Sequence, residues 1–225
     1  MGGNALKSQN IEARRISTPE MRQFILEMQT LAVPHFNWLD PVKCWHNKPT
    51  HGDIDFIGFA KSDRKGKQLP AWAEEIMEQA NSEGFHWNKP VLSFEYKGVQ
   101  IDFAVKYTDR DAKNYLNFCQ YSPTGNIVGR MLKQTGVKWG VDGLTFPVRD
   151  PADDNNMLGS VDLTDNVEDI LSLAGLDPKK WVAGFDQETE IYEYACNSPL
   201  FNKEIFQFEN LNHVNRKRDR YIVCN

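Results

Sequence analysis

Hydrophobic positions near the N-terminus recur at helical spacing. The run Ser17-Thr18-Pro19-Glu20 is typical of a helix start, because it supplies a hydroxyl cap and a proline in the first turn. The apolar residues that follow are three and four positions apart, and they are Met21, Phe24, Ile25, Met28 and Leu31. This spacing predicts an amphipathic helix that ends before Pro34.

Alternating and helical patterns then follow each other along the chain. Up to residue 105 we expect a short strand over 42–45, a strand over 53–59, a helix over 71–82 that Gly84 ends, and a hairpin over 92–105 that turns at Lys97-Gly98. Beyond it we expect a helix over 124–134, a hairpin over 138–148 that turns at Asp142-Gly143, a polar linker over 150–156, and then helices only, over 165–175, 186–196 and 202–215.

This order of elements predicts an α+β fold with a mixed or antiparallel sheet and a helical C-terminal part. The linker divides the chain into two predicted domains, a sheet-bearing domain over 1–150 and a helical region over 151–225. A length of 225 residues fits one catalytic domain with a small appendage.

Composition narrows the class of protein. The chain has 40% hydrophobic and 25% charged residues, as in ordinary globular proteins. Its four cysteines have no metal-binding spacing, which predicts reduced thiols in a cytoplasmic protein. A net charge of −5 argues against a general nucleic-acid coat protein. No run approaches the roughly 18 apolar residues of a membrane span, so we expect no membrane partner.

Three aspartates stand out against this background. Asp53 and Asp55 are separated by one residue in an apolar strand, so both carboxylates emerge on one face. Ile101 and Phe103 belong to the core face of their strand, so Asp102 points to the opposite face. If the two strands are neighbours, three hard oxygen donors converge, and such a set suits Mg²⁺. A pair of aspartates is common by itself, but aspartate is disfavoured within strands, which favours the metal hypothesis.

The run Lys48-Pro49-Thr50-His51-Gly52-Asp53-Ile54-Asp55-Phe56 resembles the acidic-strand signature of the DNA polymerase β-like nucleotidyltransferase superfamily. In that family the strand with two aspartates is followed, after a helix, by a strand with a third carboxylate, and Asp102 stands at that place. The resemblance covers roughly residues 40–110. It implies a nucleotidyltransferase-type mixed sheet flanked by helices. Residues Met1–Ala5 with Arg15-Ile16 are also similar to uncharacterised nucleotidyltransferase-like proteins of tailed phages, which implies the host cytoplasm.

The resemblance also implies a division of roles among the aspartates. Asp53 and Asp55 would bridge two Mg²⁺ or Mn²⁺ ions, and Asp102 would bind the ion that activates the incoming hydroxyl. The substrate would be a nucleoside triphosphate, ATP among them.

One segment departs from the family pattern. Family members usually carry a Gly-Ser pair upstream of the acidic strand that holds the triphosphate, whereas residues 42–48 here are Val-Lys-Cys-Trp-His-Asn-Lys. The phosphate grip is either rebuilt from His46, Asn47 and Lys48, supplied by the N-terminal Gly2-Gly3-Asn4, or lost.

Five residues are candidates for phosphate contact. Gly52 would let backbone approach a phosphate because it has no Cβ, and the motif assigns Lys48 to the same role. His51 either touches phosphate or is a turn histidine without a role. Arg130 and Lys133 lie three residues apart on one side of a predicted helix, and they face either the triphosphate or solvent.

Together these features predict an enzyme that moves a nucleoside monophosphate from an NTP to a hydroxyl of a nucleic acid, a protein or a small molecule. The helical region after residue 150 would choose the acceptor. The basic run Arg216–Arg220 is either an RNA contact or a solvated terminus, and Phe118, Tyr121 and Trp139 either stack a base or lie in the core.

Two rival hypotheses remain. The missing Gly-Ser pair favours an inactive nucleotidyltransferase-fold protein with a binding or regulatory role. A metal-dependent phosphodiesterase fits the carboxylates but lacks the histidines such sites commonly add.

Overall fold

The structure, a computed structural model, describes residues 5–61 and 69–207, apart from the side chains of residues 154 and 155. Within these ranges no helix is both long enough and apolar enough to cross a bilayer. The thiols of Cys44, Cys119 and Cys196 are free, and Cys224 lies outside the described residues.

A five-stranded mixed sheet occupies the first half of the chain. Its strands are β2 (Phe36–Pro41), β4 (Asp53–Ala60), β5 (Phe85–Asn88), β6 (Val91–Tyr96) and β7 (Val99–Lys106). The spatial order is β2-β4-β7-β6-β5, in which β4 and β7 run parallel and all other neighbours are antiparallel. A short antiparallel pair joins β1 (Ile16–Ser17) to β3 (Thr50–His51).

Two helices share a core with this sheet, namely α1 (Thr18–Ala32) and α2 (Ala71–Gln79). The predicted start of α1 is confirmed, because the Ser17 side chain accepts the Glu20 N–H and a proline occupies the first turn. Phe24 and Met28 from α1 and Ile76 from α2 are buried against Phe56 and Phe103 of the sheet. The apolar face of the sheet is therefore closed off, and its other face is left for polar side chains.

The rest of the chain builds a second core. Its elements are α3 (Asp109–Cys119), α4 (Thr124–Lys133), a three-stranded sheet of β8 (Lys138–Gly140), β9 (Gly143–Asp150) and β10 (Asp153–Thr164), then α5 (Val167–Leu173), α6 (Pro178–Ala183), α7 (Glu188–Cys196) and a 3₁₀ turn over Lys203–Phe206. Val128 and Leu132 of α4 are buried with Leu171, Trp181 and Phe185. This arrangement, with a mixed sheet flanked by helices, confirms the predicted α+β fold class.

Several predicted elements are wrong in detail. The strand expected over 42–45 is Phe36–Pro41 instead, so residues 42–49 form a loop. The linker expected over 150–156 is the turn and start of the β9–β10 hairpin, and the helices begin only at Val167. Asp- and Asn-rich sequence gave no strand pattern there, because β10 is largely exposed and its pairing contains register shifts.

Helix α3 was not predicted, since Asp109 to Cys119 is mostly polar and even buries Asn114. Helix α6 was missed too. Helix α5 is capped by Asn166, not Asp165. The predicted helix over 202–215 is only a 3₁₀ turn within the described residues, and 208–215 lie outside them. The predicted boundary at residue 150 falls in the β9–β10 hairpin, and the assignment of domains stays a prediction.

Candidate metal and nucleotide site

Three aspartates meet on the polar face of the five-stranded sheet. Asp53, Asp55 and Asp102 each offer a carboxylate oxygen, and these oxygens all lie within 4.8 Å of one another. Asp55 is exposed, and the other two are half-buried. The convergence on which the metal hypothesis depends is therefore confirmed.

Strand register explains why these side chains meet. Because β4 and β7 run parallel, Asp55 lies directly opposite Asp102. Asp53 precedes Asp55 by two residues and therefore emerges on the same face. Ile54 and Phe56 point the other way, into the core, where both are almost fully buried. The alternation in the sequence thus fixes both the core and the carboxylate cluster.

The cluster is electrostatically strained without a cation. The pKa of Asp55 is raised to about 7, chiefly because the surrounding protein desolvates its carboxyl group. Repulsion from Asp53 and Asp102 also raises this pKa, and the positive charge of Lys48 lowers it. Burial also raises the pKa of Asp102, although hydrogen bonds from Ser93 and Gln100 counteract the effect. A divalent cation would relieve the same repulsion, and three hard oxygen donors are the ligands that Mg²⁺ and Mn²⁺ prefer. The residues present therefore fit such an ion.

Asp55 lies where two cavities adjoin, and it lines both of them with Val42 and Ser122. One cavity, of about 200 Å³, extends along α3 and the start of α4. The other, of about 100 Å³, extends along the loop 42–48 and includes Lys43 and Lys48. We call the two cavities together the cleft. It offers an acidic floor with lysines on one side.

The wall opposite the sheet comes from the junction of α3 and α4. A Cβ at Gly125 would lie 2.1 Å from the carbonyl oxygen of Phe118, so only glycine lets the first turn of α4 pack this closely. That packing brings Ser122 and Asn126 to the cleft. Burial and then the charge of Asp55 raise the pKa of the nearby Cys119 thiol to about 12, so this thiol is not a nucleophile.

Most backbone amides of the loop 42–48, which stands where the family has its Gly-Ser pair, donate to other groups of the protein. Val42 N–H donates to Asp55 O at 2.8 Å, and Lys43 N–H donates to Gln120 Oε1 at 2.6 Å. His46 N–H donates to Phe185 O at 2.8 Å. The N–H groups of residues 47 and 48 also donate to protein carbonyls. A phosphate at this loop would therefore be bound by side chains and not by these amides.

The predicted phosphate ligands near the acidic strand lie in or beside the cleft. Lys48 lines it, with Nζ 4.8 Å from the centroid of the Trp45 ring. His51 lines it too but is only 3% exposed, and burial lowers its pKa to about 4, so the imidazole is neutral. The Thr18 hydroxyl donates to Lys48 O, so the His51 Nε2–H donates to Thr18 Oγ1 at 3.2 Å. Gly52 is buried beside Asp53.

Arg130 and Lys133 lie elsewhere. Both belong to the last turn of α4, whereas the cleft is lined by its first turn. The Arg130 guanidinium carbon lies 5.7 Å from the centroid of the Phe206 ring, against the second core. The structure does not bring either side chain together with the aspartates.

Of the three aromatic residues that could stack a base, two lie in the second core and one lines the cleft. Tyr121 and Trp139 are 2% and 4% exposed and belong to the second core. Phe118 is half-buried and lines the cleft beside Asp55. The basic run Arg216–Arg220 lies outside the described residues.

Sequence reasoning missed three groups around the aspartates. Gln100 was identifiable, because it precedes Asp102 by two residues and shares its face. Ser93 needed the strand register, in which it lies opposite Asp102. Ser122 gave no local signal, because only the packing of α3 against α4 brings it to the cleft.

Comparison with solved structures shows what the chain resembles in fold. No protein-family model matches the chain, and no curated protein matches it. Among solved structures, the chain is similar to Leishmania infantum polymerase beta in a ternary P/T complex, with a TM-score of 0.52 and 13% sequence identity over 72% of this chain and 73% of that one. The resemblance to tailed-phage proteins stays a prediction. The fold is therefore similar to that of a polymerase beta, which agrees with the fold that the acidic-strand resemblance implied.

Proposed function

We propose that this protein is a metal-dependent nucleotidyltransferase, which moves a nucleoside monophosphate from an NTP to a hydroxyl and releases pyrophosphate. The observation that carries the proposal is the convergence of Asp53, Asp55 and Asp102 within 4.8 Å on two parallel strands. The similarity in fold to a polymerase beta supports the same chemistry.

Each part of the cleft has a role in this proposal. The three aspartates would hold two Mg²⁺ or Mn²⁺ ions, which when bound neutralise phosphate charge and lower the pKa of the attacking hydroxyl. Lys48 and Lys43 lie on one side of Asp55 and would attract the triphosphate. Ser122 lies between the two cavities and offers a hydroxyl to either substrate. The chemistry then depends mainly on positioning and charge.

The acceptor is an open part of the proposal. A nucleic-acid 3′ end, a protein side chain and a small molecule each supply the required hydroxyl. The likeness to a DNA polymerase makes a nucleic-acid end the first acceptor to test. The cytoplasmic location predicted above accommodates all three.

A second candidate function is favoured by the loop 42–48. The N–H groups of residues 42, 43, 46, 47 and 48 are taken by protein carbonyls and by Gln120, which leaves few backbone donors for a family-type grip on the triphosphate. A protein that keeps the carboxylates but does not seat an NTP productively would be a binding or regulatory protein. Thermal unfolding with Mg²⁺ and each NTP separates the candidates, because a ligand that binds the native state raises its stability.

The decisive test is label transfer. The protein is incubated with α-labelled NTPs and Mg²⁺ or Mn²⁺, together with RNA, DNA or total cell protein. Asp53→Asn is compared with Asp40→Asn, which changes an exposed aspartate on the neighbouring strand β2. We expect transfer by wild type and Asp40→Asn, and loss of transfer in Asp53→Asn. Equal transfer by all three proteins would refute the catalytic proposal. An NTP-dependent thermal shift without transfer would favour the binding protein.

A further inference from the structure

A buried glutamine, Gln100, donates a hydrogen bond to one carboxylate of the aspartate cluster. Gln100 is 2% exposed on β7, two residues before Asp102 and directly opposite Asp53 across the parallel pair. Its Nε2 lies 3.0 Å from one oxygen of the Asp102 carboxylate and 2.9 Å from the other. One nitrogen thus contacts both oxygens, near the position that a cation chelated by both oxygens would take.

The orientation of this amide is fixed from its other end. Gln100 Oε1 accepts the Ala5 backbone N–H at 2.9 Å, so the oxygen points to Ala5 and the nitrogen must point to Asp102. Leu6, next in the chain, is fully buried and anchors the segment. An inverted amide would set two donors against each other at Ala5 and two acceptors against each other at Asp102, which is costly for a buried group.

We infer that Gln100 is a positioning residue that makes Asp102 a one-oxygen metal ligand, with the segment at Ala5 locking the amide. This inference rests on the proposed metal site. Gln100 Nε2 occupies the position between the two Asp102 oxygens, so an ion can approach this carboxylate through one oxygen but cannot be chelated by both. A neutral donor does this without cancelling the negative charge that attracts the ion, as a lysine or arginine would do.

Such outer partners of metal ligands are worth measuring, because removing them usually weakens metal binding by about 10- to 100-fold. Gln100→Met keeps the length and volume of the side chain but removes both the donor and the acceptor. Gln29→Met is the matched control, because the Gln29 amide donates to the Leu39 carbonyl oxygen and does not line the cleft.

The experiment is a Mn²⁺ titration by calorimetry, paired with thermal unfolding in EDTA. We expect Gln100→Met to bind Mn²⁺ about 10-fold more weakly than wild type, and Gln29→Met to bind like wild type. A merely structural glutamine would lower the unfolding temperature in EDTA and leave the Mn²⁺ affinity of the folded protein unchanged. That result would overturn the inference.

A second variant tests the other hydrogen bond of the Gln100 amide, the one from the Ala5 backbone. Ala5→Pro removes the N–H that Gln100 Oε1 accepts and leaves Gln100 in place. We expect a smaller loss of Mn²⁺ affinity, about 3-fold, because the amide keeps one of its two partners. If both variants bind Mn²⁺ like wild type, the role of Gln100 is wrong, while the metal site stands. If wild type and Asp53→Asn bind Mn²⁺ equally, the metal site itself fails and the proposed function with it.

Discussion

The two walls of the cleft are built by different rules. The acidic wall belongs to β4 and β7, whose alternating side chains put apolar residues in the core and Asp53, Asp55 and Asp102 on the other face. The opposite wall comes from the loop 42–48 and the α3–α4 junction, which are distant from each other in sequence. The acidic wall therefore follows from local pattern, whereas the opposite wall depends on tertiary packing.

The two walls also differ in what they can hold. The acidic wall carries three carboxylates, whose negative charge attracts a cation. The opposite wall offers the lysines Lys43 and Lys48 and the hydroxyl of Ser122, while loop amides are already bonded within the protein. If the proposed function holds, metal binding and triphosphate binding should therefore be separable by mutation. Changes to the acidic wall should affect catalysis itself, and changes to the other wall should affect the binding of substrate.

The largest effect is expected from Asp55→Asn on the acidic wall. The variant keeps the shape of the side chain but removes the central negative charge, so we expect the turnover number to fall about 10³-fold or more. Steady-state transfer assays over a range of NTP concentrations measure it. A loss confined to KM would contradict the assignment, because it would make Asp55 a substrate-binding residue.

Metal affinity should depend on pH through the same residue. Ion binding requires deprotonated carboxylates, and the pKa of Asp55 is raised to about 7. Mn²⁺ affinity should therefore rise by about tenfold per pH unit below pH 7 and level off above it. Calorimetric titrations between pH 5.5 and about 8.5 check this dependence. A flat profile would remove Asp55 from the set of ligands.

On the opposite wall, Lys48→Met should raise KM for the NTP about 10-fold and change the turnover number little, since one charge-assisted phosphate contact is lost. Methionine keeps the length of the side chain but removes the contact of Lys48 Nζ with the Trp45 ring. Lys138→Met, on an exposed position of β8, is the control. An unchanged KM would assign the phosphate contact to another group, such as Lys43.

The smallest effect concerns stability without metal. The pKa of Asp55 is about 7 in the folded protein against an ordinary value of 3.8, so the folded protein is more stable when Asp55 is protonated. This stability is fully present below about pH 4 and is lost as pH rises through 7. Asp55→Asn has no carboxyl group to ionise and therefore does not lose this stability. In EDTA at pH 8 we expect it to be more stable by about 1 kcal/mol, reduced from the full value of the shift because the side chain is open to water.

Urea unfolding of both proteins at pH 4 and pH 8 measures the difference. At pH 4 the two should be equally stable, because both side chains are then neutral. A variant less stable than wild type at pH 8 would mean that the carboxylate makes favourable contacts in the absence of metal.

The sequence predicted the acidic wall well. The run Gly52–Phe56 indicated its strand, the Val99–Val105 alternation indicated its partner, and the helix start at Ser17 was correct. Each of these signals is local, a period of two or a cap, and is therefore visible without knowledge of the rest of the fold.

The opposite wall could not be predicted in this way. Helix α3 is mostly polar, and its place against β4 brings Phe118 and Ser122 to Asp55. The spacing of Arg130 and Lys133 predicts that they share one side of a helix, but it does not predict which end of that helix meets the cleft. The β9–β10 hairpin was hidden by exposed polar residues typical of a linker.

The most direct test of the central claim is a crystal structure of the protein with Mn²⁺ and a non-hydrolysable NTP, with anomalous scattering recorded for manganese. The account predicts anomalous peaks bounded by Asp53, Asp55 and Asp102, with the triphosphate on the side of Lys48. Manganese bound elsewhere, with these three carboxylates free of metal, would contradict it.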